Sequence, residues 1–231
     1  DEIKKIEEEY AKTETPVVSN NSAHRWTPDV PMVVPELNPE HLEVIESQKK
    51  RLGTTRGFIA VKPNCSIQSY TPALHALKKA GYEPKTVVAT TYQAISGAGK
   101  NFKDWPEMEH NIIPFIGGEE EKSEQEPLRI WGHIENGEIV KAEGPVITTQ
   151  CIRVPVLDGH TAAVFVTFEE GKKPSKEEII KVWREYSGVP QELKLQSAPE
   201  HFIQYLEDDN RPQVALDVNY ENGFGVSMGR L

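Results

Sequence analysis

The chain has 231 residues, a formal net charge of −10 and a hydrophobic fraction of 37%. That length accommodates one large domain or slightly more, and apolar runs such as TVVAT and TAAVFVTF can build a core. The acidic balance argues against a nucleic-acid or anionic-membrane partner, because both require a basic face. No apolar run approaches the ~20 residues of a transmembrane helix. We therefore expect a soluble, cytoplasmic protein.

The cysteine content predicts reduced thiols. The chain has only two cysteines, Cys65 and Cys151, which is typical of a cytosolic protein without disulfides. There is no CxxC, no HExxH and no cluster of Cys and His, so we expect no metal site. The N-terminal DEIKKIEEEYAK has the charge of a surface helix and lacks the features of a signal peptide.

The first part of the chain is predicted to alternate helices with short strands. Residues 1–12 form a polar helix, and TPVVSNNSAHR is a short strand that runs into a polar loop. Asn38-Pro39 opens a helix that continues to about Arg51, and RGFIAVKPNC is a second strand. A helix between two strands predicts a parallel pair, with ligand-binding loops at the carboxyl ends of the strands.

A helix, a strand and a charged segment are predicted next. Apolar residues recur at helical spacing from Ile67 to Leu77, and Ala80-Gly81 ends the helix. KTVVATTYQA is a strand, and SGAGK is a glycine-rich loop. Residues 100–130 are predicted to be irregular. Within them, GGEEEKSEQE is predicted to be a solvated charge run with one or two helical turns at most.

The remainder is rich in predicted strands. IWGHIENGEIV predicts a hairpin at Asn136-Gly137, and PVITTQCIRVPVLDGHTAAVFVTF predicts two strands joined at residues 157–159. Ser175 and Glu178 form a capping box that begins a helix, which Gly188 is predicted to end. The C-terminal segment predicts two strands around Asn222-Gly223. This pattern indicates a mixed α+β domain.

Cys65 is the first candidate for chemistry. It follows a Pro-Asn turn at the end of a strand and precedes a predicted helix, whose free N–H groups and dipole would favour the thiolate. Only the thiolate is nucleophilic, so this placement suits covalent catalysis. From this segment alone, a small buried thiol remains the alternative. Cys151 lies in mid-strand among Val and Ile and is interpreted as structural.

Two further segments could complete a site. In CIRVPVLDGH, Arg153 could bind a carboxylate and His160 could partner a cysteine, although a hairpin with solvated side chains explains the same residues. In TTYQAISGAGK, Gln93 precedes a loop that lets a phosphate or a ring approach the backbone, and a flexible turn is the alternative. This loop does not have the Walker spacing.

Taken together and in this order, KPNCS, TYQAISGAG, GGEEEK, IWG and RVPVLDGH resemble the aspartate-β-semialdehyde dehydrogenase family, in particular its archaeal and fungal branch. PVVSNNSAHRWTPDVPMVVPELNPEHL is similar to the segment that precedes the catalytic cysteine of that branch. The resemblance extends over essentially the whole chain. It departs from the family at Lys62, where Asn is more frequent, and in IQS, which replaces a Thr-containing continuation.

The resemblance implies a role for each matched residue. Cys65 would be the acyl-accepting nucleophile, His160 its acid/base, and Gln93 would orient the acyl group. The residues implied in binding substrate or phosphate are Arg153 for the α-carboxylate, Glu119 for the α-amino group, Lys122 and Arg25 for the phosphate, and Asn64. Those implied along the NADP cofactor are Ser96, Gly97 and Asn20.

The resemblance also implies the fold and the reaction. We expect the end of a Rossmann-type NADP-binding domain over residues 1–64, followed over 65–218 by a catalytic and dimerisation domain. The latter would have a mixed sheet of the type found C-terminally in glyceraldehyde-3-phosphate dehydrogenase. Residues 219–231 would begin the return to the cofactor domain. The implied reaction is NADPH-dependent reductive dephosphorylation of L-aspartyl-4-phosphate, in lysine, methionine and threonine biosynthesis, by a homodimer or homotetramer.

Alternatives remain open at this point. A malonyl- or succinyl-CoA reductase of the same fold would use the same Cys and His, and Glu119 discriminates because those substrates have no α-amino group. N-acetyl-γ-glutamyl-phosphate reductase resembles these motifs less. The sequence contains no G-x-G-x-x-G loop. We therefore expect a chain shortened at both ends, with weak or no NADP binding, and an inactive oligomerisation module is the third alternative.

Overall fold

The computed structural model describes residues 2–231 and contains two compact units. Of the described residues, the first unit comprises 2–64 and 126–143, and the second comprises 65–125 and 144–231. This differs from the division predicted from sequence in two respects. Residues 126–143 belong to the first unit although they lie inside the predicted 65–218 domain, and residues 219–231 belong to the second unit.

The first unit is built around a short parallel pair of strands. Helix α1 (Glu2–Lys12) leads into β1 (Val17–Ser19). A 3₁₀ segment over Pro39–Val44 continues as α2 (Ile45–Leu52), and β2 (Ile59–Val61) follows. Strands β1 and β2 are parallel, with Val17 opposite Ile59, which confirms the predicted parallel pair.

The first unit also contains the predicted hairpin. Strands β4 (His133–Glu135) and β5 (Glu138–Val140) are antiparallel. The two residues between them, Asn136 and Gly137, have positive φ of 52° and 80°. Consecutive positive φ values match a tight hairpin turn, in which Asn-Gly is the favoured pair.

The second unit is organised on a three-stranded mixed sheet with strand order β6-β3-β7. Helix α3 (Thr71–Lys79) precedes β3 (Pro84–Gln93), and the other strands are β6 (Val146–Arg153) and β7 (Thr161–Phe168). Strand β6 pairs with β3 in parallel and β7 pairs with it antiparallel. The alternative of a β6–β7 hairpin is therefore wrong, because β3 lies between the two strands.

The acidic segment forms a full helix, α4 (Glu119–Ile130). The prediction of a solvated charge run is wrong, because Ser123 and Glu126 are both 0% exposed and the helix ends in the buried residues Leu128 to Ile130. The many charged residues of GGEEEKSEQE prevented this buried helix face from being predicted from sequence. Residues up to 125 belong to the second unit and those from 126 to the first.

Shorter elements complete the second unit. Helix α5 (Lys176–Glu185) begins with the predicted Ser175–Glu178 capping box and packs on α3, where Trp183 Nε1 donates to the Ala73 carbonyl across 3.0 Å. The remaining elements are α6 (Val189–Glu192), β8 (Ile203–Leu206), α7 (Val214–Asp217) and β9 (Val226–Gly229). Strands β8 and β9 are parallel.

Two predictions about this region are wrong. Helix α5 ends at Glu185, with Tyr186 as its C-cap, and Gly188 instead precedes α6. The C-terminal segment holds one strand and not two, because Asp217 accepts hydrogen bonds from Arg211 and from the Gln213 amide and so stabilises the α7 turn. Among the described residues, no helix is long and apolar enough to span a membrane.

Candidate active site

Cys65 lies immediately before a 3₁₀ turn over Ser66–Ser69. Its thiol is free and partly exposed. The α-helix begins only at Thr71, so the predicted placement at an α-helix N-terminus is wrong. A four-residue 3₁₀ turn provides little of the dipole of a full helix. Any activation of this thiol would therefore come from a neighbouring side chain.

That neighbour is His160. Its Nε2 lies 3.1 Å from Cys65 Sγ, within hydrogen-bond distance for a pair that involves sulfur. The two residues are separated by 95 positions in sequence. A cysteine and an imidazole in direct contact form the arrangement that activates a thiol nucleophile. The structure thus brings together two residues that sequence spacing alone could not place in contact.

The sheet topology explains how His160 reaches this position. The connection from β6 to β7 crosses the carboxyl end of β3, because the two strands lie on opposite sides of it. Backbone hydrogen bonds fix the crossing, from Ile95 N to Val156 O at 2.9 Å and from Ser96 N to Leu157 O at 3.1 Å. His160 is the last residue of this connection, directly before β7. The carboxyl end of the central strand therefore carries the site, as expected for parallel pairing.

The protonation of the His160 ring is determined by the backbone. The Ala94 N–H donates to Nδ1 across 3.0 Å, and a backbone amide can only donate. Nδ1 is therefore unprotonated, and the proton of the neutral ring is on Nε2, directed at Cys65 Sγ. In this arrangement the sulfur accepts the hydrogen bond from the ring.

Arg153 and Gln93 lie side by side at the same end of the sheet, as paired residues of the parallel strands β6 and β3. Both are buried. Arg153 Nη1 donates to the Ala94 carbonyl across 2.6 Å, and Gln93 Nε2 donates to Thr91 Oγ1 across 3.1 Å. Burial lowers the pKa of Arg153, and the nearby negative charges of Glu119 and Cys65 oppose that shift.

The glycine loop after β3 is close to these side chains. A Cβ at Gly97 would lie 3.1 Å from Arg153 Nη1 and 3.2 Å from His160 Cε1. Ser96 and Gly97 are exposed. A residue without a side chain therefore keeps this surface open beside the Cys65–His160 pair. A flat ring of a cofactor could approach the backbone there.

Glu119 and Lys122 lie in the first turn of α4 and contact each other, with Lys122 Nζ 2.9 Å from Glu119 Oε1. Glu119 also acts electrostatically on Arg153, as its effect on the Arg153 pKa shows. Arg153 and Glu119 thus present one positive and one negative charge close to each other. This combination complements the carboxylate and ammonium groups of an α-amino acid.

Three predicted residues belong to the first unit: Asn20, Arg25 and Asn64. Asn20 is exposed, whereas Arg25 and Asn64 are buried. The Arg25 guanidinium contacts Glu126 Oε1 at 3.0 Å, the Lys62 carbonyl at 3.0 Å and the Asn20 carbonyl at 3.5 Å. These contacts hold the Arg25 side chain in place, and its predicted phosphate role stays a prediction.

Sequence reasoning missed the contributions of Ala94 and Glu126. Ala94 acts through backbone atoms, which leave no signature in side-chain identity. Glu126 was hidden within the acidic run. The local signal for this buried face is that the apolar residues of PLRIW directly follow the acidic run, although Pro127 would ordinarily interrupt a helix there. Across residues 2–231, no group of three or more His, Cys, Asp or Glu side chains is arranged to hold a metal ion.

Comparison with protein-family models identifies two matching segments. A model described as semialdehyde dehydrogenase, dimerisation domain, matches residues 74–231, which is the larger part of the chain. A model described as semialdehyde dehydrogenase, NAD binding domain, matches residues 1–45. The site described above lies largely within the first of these matches, and Cys65 lies between the two.

Individual relatives agree with the family models. The aspartate-semialdehyde dehydrogenase of Methanothermobacter thermautotrophicus is 41% identical over all 231 residues, which cover 65% of that relative. The enzyme of the same name from Aspergillus fumigatus is 37% identical over 98% of this chain and 63% of its own length. This chain therefore spans slightly less than two thirds of these relatives.

A solved structure shows the same fold. The aspartate semialdehyde dehydrogenase of Candida albicans, determined with NADP, superposes with a TM-score of 0.85 at 37% identity. The match covers 97% of this chain and 64% of that protein. The resemblance inferred from sequence, to the archaeal and fungal branch in particular, is confirmed. Because the dimerisation-domain model matches more than half of the chain, the chain belongs to the semialdehyde dehydrogenase family.

Proposed function

We propose that this chain is the catalytic part of an aspartate-β-semialdehyde dehydrogenase, which converts L-aspartyl-4-phosphate into L-aspartate 4-semialdehyde. The observation that carries the proposal is the 3.1 Å contact between Cys65 Sγ and His160 Nε2. It supplies a thiolate nucleophile beside a hydrogen-bond donor, which acyl transfer from an acyl phosphate requires. The relatives at 37–41% identity carry the same enzyme name.

In the proposed first step, Cys65 Sγ attacks the β-carbonyl carbon of aspartyl phosphate. A carbon–sulfur bond forms, the bond from carbon to the phosphate oxygen breaks, and inorganic phosphate leaves. The product is a thioester on Cys65. Gln93 lies beside Arg153 at the end of the sheet and would orient the acyl group. Lys122 carries a positive charge that would bind the departing phosphate.

Reduction of the thioester requires a hydride, which NADPH supplies when bound. Ser96 and Gly97 would lie along that cofactor. The open, exposed backbone at Gly97 beside His160 fits a group that must approach the thioester closely. When the aldehyde is released, the carbon–sulfur bond breaks and the electron pair returns to Sγ as thiolate.

His160 serves the proposed reaction in two ways. In the resting pair, its Nε2–H stabilises the thiolate while Nδ1 is held by Ala94. Acid/base catalysis at a later step requires a ring that is protonated at both nitrogens. Its Nδ1–H would then point at the Ala94 N–H, and two donors cannot form a hydrogen bond with each other. The ring must therefore exchange its contact with Ala94 when it takes up a proton.

Recognition of the amino acid is assigned to Arg153 for the α-carboxylate and Glu119 for the α-ammonium. Their opposite charges influence each other in the structure. An acyl-CoA substrate of this kind has no α-amino group for Glu119 to bind. This argument favours aspartyl phosphate over malonyl- or succinyl-CoA.

We further propose that the protein assembles as a homodimer, or as a homotetramer that contains such a dimer, through the open face of the β6-β3-β7 sheet. Large apolar side chains are exposed on that face, with Phe165 75%, Val146 65% and Val88 51% exposed. A row of such side chains is typical of a surface that is covered in an assembly. The matching family model is named for dimerisation. The catalytic thiol must stay reduced, which supports a cytoplasmic location.

The test is an assay of the natural gene product that carries this chain. Aspartate semialdehyde, phosphate and NADP should support NADPH formation, and Cys65→Ala should abolish it. Glu119→Gln should raise the KM for aspartate semialdehyde. Turnover of malonyl-CoA without turnover of the aspartyl substrate would overturn the assignment.

A further inference from the structure

A buried carboxylate outside the proposed reaction contacts the turn that carries Cys65. Glu126 is 0% exposed. Its Oε2 accepts a hydrogen bond from the Asn64 backbone N–H across 2.5 Å, and its Oε1 accepts one from Arg25 Nη1 across 3.0 Å. Asn64 is the residue directly before Cys65. One oxygen of Glu126 therefore holds the nucleophile's turn, and the other is paired with a buried cation.

Arg25 extends this contact to a second point of the same turn. Its Nε donates to the Lys62 carbonyl across 3.0 Å, and its side chain is only 7% exposed. Arg25 and Glu126 thus bind backbone atoms of Lys62 and Asn64. The turn between them, Lys62–Asn64, is held at both ends by one buried ion pair.

Helix α4 also contacts the residue that follows Cys65. Ser123, one turn before Glu126, places its Oγ 3.2 Å from Ser66 Oγ. Its carbonyl accepts a hydrogen bond from the Tyr70 hydroxyl across 2.8 Å. Each of these contacts lies within a single unit. The same helix therefore holds the backbone neighbours on either side of the thiol.

Stability alone is a weak reason for such an ion pair. Desolvating two charges is costly, and apolar side chains of similar volume often stabilise a protein as well or better. What apolar side chains could not provide is an acceptor for the Asn64 N–H and a donor for the Lys62 carbonyl. Burying the Arg25–Glu126 ion pair is energetically costly, but the pair fixes the backbone geometry of the turn before Cys65.

We propose that Glu126 is a positioning residue for Cys65, acting with Arg25 through the Lys62–Asn64 turn. This inference rests on the proposed function only in that it takes Cys65 as the nucleophile. By holding the turn, the ion pair keeps Cys65 Sγ within hydrogen-bond distance of His160. The thiolate reacts with iodoacetamide, so the alkylation rate of Cys65 reports the geometry without any substrate.

The experiment compares alkylation rates by mass spectrometry in the folded chain, with Cys151 as an internal reference because it is 0% exposed. Glu126→Asp keeps the charge but withdraws it from Asn64, and Glu126→Gln removes the charge that pairs with Arg25. Both should slow Cys65 alkylation about tenfold, since small displacements of reacting groups have large effects on rate. Cys151 should stay unreactive.

The matched control is Glu124→Gln on the same helix. The Glu124 carboxylate also accepts a backbone hydrogen bond, from Thr149 at 3.0 Å, but it does not contact the Cys65 turn. Its substitution should leave Cys65 alkylation unchanged. Loosening of the structure would accelerate labelling of both cysteines, whereas loss of positioning slows Cys65 alone. Wild-type alkylation of Cys65 in folded Glu126 variants would overturn the proposal.

A double variant keeps the proposal testable if single substitutions unfold the chain. Arg25→Met with Glu126→Leu removes both charges together and leaves neither unpaired, which folded proteins tolerate. Slow Cys65 alkylation in this variant supports positioning, and an unchanged rate refutes it. The alkylation rate also distinguishes the positioning role of Glu126 from the proposed enzymatic function. Dependence of alkylation on Glu126 without aspartate-semialdehyde activity would refute only the proposed function.

Discussion

The His160 ring is anchored by Ala94, whose backbone N–H donates to Nδ1 across 3.0 Å. Because an amide nitrogen cannot accept, the neutral ring must carry its proton on Nε2, toward Cys65. We expect ¹⁵N correlation spectra of the His160 ring at neutral pH to show an unprotonated Nδ1 and a protonated Nε2. The opposite tautomer would contradict the geometry of the pair.

The two cysteines should differ in reactivity. Cys65 is partly exposed and hydrogen-bonded to His160, whereas Cys151 is buried in β6. We expect iodoacetamide to label Cys65 at least about tenfold faster than Cys151. His160→Ala should slow labelling of Cys65, and His201→Ala, at an exposed site, should not. Equal labelling of the two thiols would show that Cys65 is not activated.

Gly97→Ala should disturb the site without unfolding the chain. The new Cβ would lie 3.1 Å from Arg153 Nη1 and 3.2 Å from His160 Cε1, closer than ordinary van der Waals contact. We expect a several-fold slower alkylation of Cys65 and an unchanged melting temperature. Gly117→Ala is the control, since no atom lies within 4 Å of its Cβ position. Equal effects of the two substitutions would refute this explanation.

Phe165→Glu should weaken self-association. Phe165 is 75% exposed on β7, directly opposite Val88 of β3 on the same sheet face. Burying a carboxylate in an apolar interface is unfavourable, so the sedimentation coefficient should shift from that of a dimer toward that of a monomer. Leu193→Glu introduces the same charge at a side chain that is 64% exposed outside the sheet and should leave the assembly unchanged.

His75 should make the fold sensitive to acid. The side chain is 7% exposed, and neither ring nitrogen has a hydrogen-bond partner. Burial, with Lys79 and Lys78 nearby, lowers its pKa from 6.5 to about 4. Between these values the unfolded state binds more protons than the folded state, so stability is retained above pH 6.5 and decreases as the pH falls toward 4. The full decrease amounts to about 3 kcal/mol.

His75→Phe tests this dependence. Phenylalanine keeps an aromatic ring for the edge contact with Tyr186 and has no titrating group. Denaturant unfolding should show that the variant gains stability over the original chain at pH 5, and gains less at pH 8. His201→Phe, at an exposed position, should change neither value. An unaltered pH dependence in His75→Phe would exclude His75 as the cause.

Much of the secondary structure could be predicted from local patterns. The Asn136-Gly137 hairpin, the Ser175–Glu178 capping box and the parallel β1–β2 pair follow from turn chemistry, capping and the order of elements. The errors have different causes. The helix over residues 119–130 depends on burial of one face against residues distant in sequence, which local patterns do not contain. The α7 turn is held by hydrogen bonds from nearby Arg211 and Gln213 to Asp217, which the prediction of a strand overlooked.

The sequence by itself determined the family and the chemical types of the candidate residues, because the Cys, Gln, Arg and His motifs occur in a diagnostic order. Only the tertiary structure decided which side chain lies beside the Cys65 thiol. The strand order β6-β3-β7 carries the connection before β7 across the end of β3 and so brings His160 to Cys65. The tautomer of His160 and the contact of Glu126 with the Cys65 turn depend on backbone N–H groups, which are the same in every residue except proline. For that reason no residue pattern could reveal them.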